Sequence, residues 1–332
     1  MKHFVWFVIV STVAVVAASG PGYHVTNKIK IGGEGGWDYL TVDEGGRKLY
    51  VSHATHVVVV DLDTGKVAGD IPDTAGVHGV AIAEKLGRGY SSNGRDNSIS
   101  VFDLKTLKVE SKIKVGANPD SIIFEPVSGR VFTFNGRSND STAVDAKTGE
   151  VAGTIPLGGK PEFSRVDGKG NVYVNIEDTG ELAVIDAKAL KVSRRSTLTG
   201  CESPSGLAFD VPHKRLFSVC GNKVMVVTDS DAGKVIATVP IGAGSDGAAF
   251  DGGFAFSSNG GDGTVTVVGE SGGKFEVVET VPTTRGARTI TVDPKTHKLY
   301  LSAAEYAPPA AGAPKGRGSM VPDSFHVIVL SK

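Results

Sequence analysis

The chain has no surplus of charge: 35 Lys and Arg against 36 Asp and Glu leave a formal net charge of -1 over 332 residues. That balance excludes an overall electrostatic pull toward nucleic acid or anionic lipid. Aromatics reach only 7% and fall mostly at alternating strand positions, so a stacking platform for single-stranded nucleic acid is not evident. The only two cysteines, Cys201 and Cys220, cannot supply a structural zinc site, which takes four ligands. The sequence carries no Gly-x-x-x-x-Gly-Lys-Ser/Thr phosphate loop, no His-Glu-x-x-His pair and no Cys-x-x-Cys-His haem attachment. Ser205 sits in Pro204-Ser205-Gly206 and lacks the Gly-x-Ser-x-Gly nucleophile elbow. No amphipathic helical pattern is found, and no apolar stretch beyond the first 20 residues is long enough to cross a bilayer.

At the N-terminus, Lys2 and His3 precede an apolar run from Phe4 to Ala18 that ends in Ala17-Ala18-Ser19-Gly20. A positive start, a short apolar core and a small-residue exit predict a secretory signal peptide over 1–19, an uncleaved anchor being the alternative. The mature protein is then expected in the periplasm or secreted, without a membrane span. An even pair of cysteines in an exported protein is compatible with one disulfide, and Cys201 and Cys220 fall on the same face of one repeat, which predicts a bridge; two free thiols are the alternative.

What the sequence has in abundance is repetition, with 44 Gly and Val-rich pairs favouring strands and tight turns. Asp-x-x-x-x-x-Val turns recur at Asp61, Asp103, Asp145 and Asp186, in steps of 42, 42 and 41 residues. A period near 40 built from short β segments and Gly-bearing hairpins is that of a propeller blade. The first full repeat reads as strands over 37–42, 48–52, 57–62 and 67–71, and the layout returns six times, starting near Val77, Pro119, Pro161, Pro204, Ser245 and Ala287. The expectation is one all-β domain over 25–332, a seven-bladed propeller of four-stranded antiparallel blades. The last repeat ends one strand short, and Asn27-Lys28-Ile29-Lys30-Ile31 is the candidate for the missing strand, closing the ring. A Pro-Ala-Gly insertion over 303–322 interrupts that blade and is either a surface loop or a lid over the central opening.

The triplets Leu49-Tyr50-Val51, Val172-Tyr173-Val174 and Leu299-Tyr300-Leu301, the Asp-x-x-Thr-Gly-Lys-Val turns and the Ser92-Asn93-Gly94 and Ser258-Asn259-Gly260 loops resemble the YVTN/YncE-like β-propeller repeat proteins. The resemblance covers almost the whole mature chain. It implies an exported propeller without an assigned reaction; single-stranded nucleic-acid binding, attributed to one branch, would follow from this resemblance alone.

In such a blade the start of the innermost strand and the end of the second meet on one face of the disc, beside the channel. Two polar rings follow: Asp38, His78, Asp120, Glu162, Ser205, Asp246 and Arg288 from the first, and His53, Asn93, Asn135, Asn175, Cys220, Asn259 and Ala303 from the second. Asp38, His53, His78, Asn93, Asp120, Asn135, Glu162, Asn175, Asp246, Asn259 and Arg288 are therefore the ligand-binding candidates. His53 and His78 with Asp38 suit a transition metal such as zinc, whereas Asp120, Glu162, Asn135 and Asn175 offer oxygen ligands for calcium. A divalent cation, calcium or zinc, is thus the cofactor these donors admit. The expected function is a monomeric scaffold that binds a small polar ligand or a protein partner at this mouth, rather than an enzyme. A metal-assisted hydrolase or lyase with Asp120 or Glu162 as base is the alternative. The repeating aspartates of the third strands read as turn caps.

Overall fold

A computed structural model describes residues 20–308 and 318–332. The expected signal peptide and the centre of the insertion, 309–317, lie outside the described residues.

The described chain forms seven antiparallel four-stranded sheets. The first blade runs Trp37–Asp43, Lys48–His53, His56–Asp61 and Lys66–Ile71. The following innermost strands are Val77–Ala83, Pro119–Glu125, Pro161–Val166, Pro204–Asp210, Ser245–Asp251 and Ile290–Asp293. Among the described residues one 3-10 turn, Glu84–Leu86, is the only helical element, and no helix is long and apolar enough to cross a membrane. In each blade the second and third strands are nearly all buried because they lie between neighbouring sheets, while the fourth strand is mostly exposed.

The ring closes as expected. The last blade takes Ile290–Asp293, Lys298–Ala303 and His326–Ser331 from the C-terminal end and His24–Lys30 as its outer strand. Lys28 pairs with Ile328 and Ile29 with Val327. Ile29, Trp37, Leu49, Val51, Phe325 and Val327 then share one core cluster between the first and last blades.

The turn aspartates behave as caps. Asp61 Oδ1 accepts the Thr64 N–H at 2.7 Å, Asp145 Oδ1 that of Thr148 at 2.8 Å and Asp186 Oδ1 that of Ala189 at 2.8 Å. These backbone bonds hold the three carboxyls below the usual carboxylate range.

Cys201 and Cys220 form a disulfide with Cα atoms 5.4 Å apart across 19 residues, tying the link between the fourth and fifth blades to the second strand of the fifth. Both are buried. Replacing the pair by alanine is expected to cost about 3 kcal/mol, the loop-closure entropy of a loop this size. Thermal unfolding of the double variant checks this, and a melting temperature equal to that of the parent would contradict it.

Candidate functional site

Six of the seven innermost strands carry a register irregularity against the second strand just where they leave the mouth. In the first blade Trp37 pairs with His53, and the ladder resumes only at Leu40 with Val51. Asp38, His78, Asp120, Glu162, Ser205 and Asp246 all fall in these interruptions. A bulge twists the strand and re-aims the side chains it carries, which is how six blades turn one residue each toward the same opening.

The ring residues meet as a chain of opposite charges. His78 Nδ1 lies 2.7 Å from Asp38 Oδ2 and 3.0 Å from Asp120 Oδ1. Arg288 ion-pairs with Asp246, reaches Asp38 Oδ1 at 3.4 Å and donates to the Trp37 carbonyl at 3.0 Å. Lys160 holds Glu162 at 2.7 Å and also pairs with Glu177. Below them Tyr39 is buried, its ring edge-on to Phe163 at 4.8 Å. Burial and then the facing carboxylates Asp120, Asp38, Glu162 and Asp246 push the Tyr39 hydroxyl well above its ordinary range, so it stays a neutral hydrogen-bonding group.

Burial raises the carboxyls of Glu162 and Asp246, the neighbouring Asp120 adding to the first. Burial alone would push His78 down, but the bonds to Asp120 and Asp38 outweigh it and lift His78 to about 10. Because the folded value exceeds the ordinary histidine value of about 6.5, this charge stabilises the fold fully below pH about 6.5, and the contribution is lost as pH rises toward 10. The ring proton resonances of His78 are expected to stay those of an imidazolium from pH 6 to 8.5. A nuclear magnetic resonance titration midpoint near 6.5 would refute the arrangement.

The second expected ring does not line the mouth, and the reason is its depth. Ends of second strands lie one layer outside the channel, between sheets, and their side chains serve those sheets. Asn93 donates to Ser98 and Ser100 at 3.2 and 2.9 Å, Asn135 to Asp140 and Thr142 at 2.6 and 3.0 Å, and Asn259 to Thr264 and Thr266 at 3.1 and 2.8 Å. Asn175 reaches the next blade, donating to the Ser205 and Gly206 carbonyls and accepting from Ser218. All four side chains are buried and engaged within the sheets. His53 also leaves the expected trio: it stacks on Phe325 at 4.4 Å and meets His56 edge-on at 4.9 Å. Burial, followed by repulsion from His56, lowers it to about 4 and keeps it neutral. The metal set expected from His53, His78 and Asp38 is thus replaced by Asp38, His78 and Asp120, whose donor atoms all lie within 4.8 Å of one another.

One imidazole and two carboxylates match a zinc-type donor set. Lys160 and Tyr39 escaped sequence reasoning, the first because it precedes the ring position, the second because an alternating strand aromatic resembles any core residue. The insertion's described stems lie on this face: Tyr306 bridges to Met320, and its ring is 6.4 Å from that of Trp37.

Seven closed four-stranded blades around a polar-mouthed channel define the class, a seven-bladed β-propeller. No family model matches the sequence, and no curated protein matches it. Among solved structures the chain is similar to one described as Kuenenia stuttgartiensis hydrazine synthase, with a TM-score of 0.67 and 18% identity, covering 88% of this chain and 96% of that one. At that identity the likeness shows the shared fold alone.

Proposed function

We propose that this chain is an exported, YVTN/YncE-like propeller that binds a small polar ligand at the channel mouth and performs no chemistry of its own. The observation that supports this reading is the convergence of Asp38, His78, Asp120, Glu162, Asp246 and Arg288 from six blades around the buried Tyr39 hydroxyl. Four carboxylates face Arg288, Lys160 and His78, and burial already drives two of those acids toward their neutral forms. The ligand that relieves such a site carries a compact cationic or hydrogen-bond-donating group, an amine for instance. Binding is favoured over catalysis because each candidate base is engaged, Asp120 by His78 and Glu162 by Lys160. A second reading rests on the Asp38, His78 and Asp120 trio, which would hold a zinc-type cation able to polarise a bound oxygen.

The test is thermal denaturation with short primary amines, polyols, zinc and calcium as separate arms, followed by Trp37 fluorescence beside the mouth. An amine or polyol that raises the melting temperature in the parent but not in Asp120→Asn is the expected result. Zinc alone doing so would favour the second reading, and no response in any arm would overturn both.

A further inference from the structure

Below the acidic mouth the channel widens into a cavity of about 380 Å³ that opens on the opposite face of the disc. Its wall is polar and apolar in about equal measure, the apolar part including Leu40, Val80, Ile122 and Ile290 from four innermost strands. Within this wall lies one permanent cation, Arg165, its guanidinium 4.2 Å above the Phe163 ring. Its hydrogen bonds are to the carbonyls of Ser164 at 3.1 Å and Ala248 at 3.3 Å, which engage two of its five N–H donors. Among the described residues no carboxylate lies in ion-pair range of it. Burial pulls its pKa down to about 10, which leaves it charged at neutral pH. Arg165 is half-buried, and a charge held partly out of water without a counter-ion is a costly arrangement.

We propose that this lower chamber is a binding site for a small monocarboxylate, its headgroup on the Arg165 guanidinium and its short apolar tail against Leu40, Val80, Ile122 and Ile290. The volume falls at the small end of ligand pockets, about 300–1,000 Å³. A carboxylate takes the remaining N–H donors as a fork, the geometry in which guanidinium binding is strongest. Each innermost strand is also a sheet edge, so backbone groups outside the ladders face the channel and add donors. Charge selects a monoanion: one guanidinium meets one negative charge, while Glu44 at the same opening and the carboxylates of the far mouth disfavour a dianion. The site differs from the mouth in its charged residue, face and charge, the two adjoining at Phe163, whose ring meets both Tyr39 and Arg165.

Isothermal titration calorimetry of the full chain with butyrate, acetate and inorganic phosphate, at constant ionic strength, tests it. Butyrate is expected to bind, more tightly than acetate, and Arg165→Met to weaken it at least tenfold. Arg165→Met is also expected to melt at the same temperature as the parent or higher without ligand, since it removes an uncompensated charge at similar volume. Asp120→Asn, at the far mouth, should leave butyrate affinity within twofold. Absence of butyrate binding, binding retained in Arg165→Met, loss of binding in Asp120→Asn, or phosphate binding in place of butyrate would each overturn the assignment. Should Arg165→Met fail to fold, Arg165→Lys keeps the charge without the fork and is expected to weaken butyrate severalfold; undiminished binding would be contrary.

Discussion

Deletion of residues 20–33 is expected to lower the melting temperature by about 10 °C or more and to make the protein aggregate. The segment contributes the outer strand of the last blade, so its loss exposes the unpaired edge of His326–Ser331, a template for strand addition. Ile29 leaves the cluster between the first and last blades, and removal of a buried isoleucine side chain alone costs about 2–5 kcal/mol. Tyr23 leaves an edge-on contact with Phe256 at 5.1 Å in the sixth blade. Glu279 loses the Gly22 and Tyr23 N–H groups, both at 3.1 Å. At about 2–4 °C per kcal/mol these losses add to the stated shift. Differential scanning calorimetry with light scattering measures both parts, and an unaggregated variant of unchanged melting temperature would show that the ring does not depend on this strand.

Arg47→Ala is expected to destabilise by about 3–5 kcal/mol, the cost of leaving a buried carboxylate without its partner. Arg47 in the first blade meets Asp293 in the last as a fork, NH1 to Oδ1 at 3.0 Å and NH2 to Oδ2 at 2.8 Å, and the Asp293 side chain is completely buried. Burial alone would raise the Asp293 carboxyl, but Arg47 and Thr296 outweigh it and hold it below the usual carboxylate range. A depressed carboxyl stabilises above its unfolded value of about 3.9, and that stability is lost as pH falls through the lower folded value. The gap between Arg47→Ala and the parent should therefore be full at pH 7 and shrink below pH about 4. Denaturant unfolding at both pH values reads it, and an equal gap at pH 7 and pH 3 would contradict a charge-based clasp. The double variant Arg47→Met with Asp293→Leu should recover much of the loss, because the cost lies in the orphaned charge rather than in the missing pair.

The candidate site was legible to different depths. Asp38, His78, Asp120, Glu162 and Asp246 could be placed around one opening because a repeat of near-constant length puts equivalent residues in equivalent places. The same logic misplaced Asn93, Asn135, Asn175 and Asn259, since an equivalent position says nothing of which layer a side chain enters. His53 and His78 look alike as residues, yet one is stacked and neutral and the other clasped by two carboxylates. Arg165 drew no notice in the run Glu162-Phe163-Ser164-Arg165-Val166, where an arginine on an alternating strand resembles any solvent-facing one.

By itself, the sequence determined the blade count, the strand layout, the aspartate-capped turns and the N-terminal strand that closes the ring. All of these rest on local periodicity and turn chemistry, which act between residues close along the chain. Tertiary structure alone decided the bulges that re-aim the mouth residues, the His78 clasp across three blades, the withdrawal of the asparagines into the sheets, the Arg47 and Asp293 clasp and the isolation of Arg165. The two clasps join residues 40 and 246 positions apart, and the others depend on which layer a side chain enters, set only when the disc closes and its interior is stripped of water.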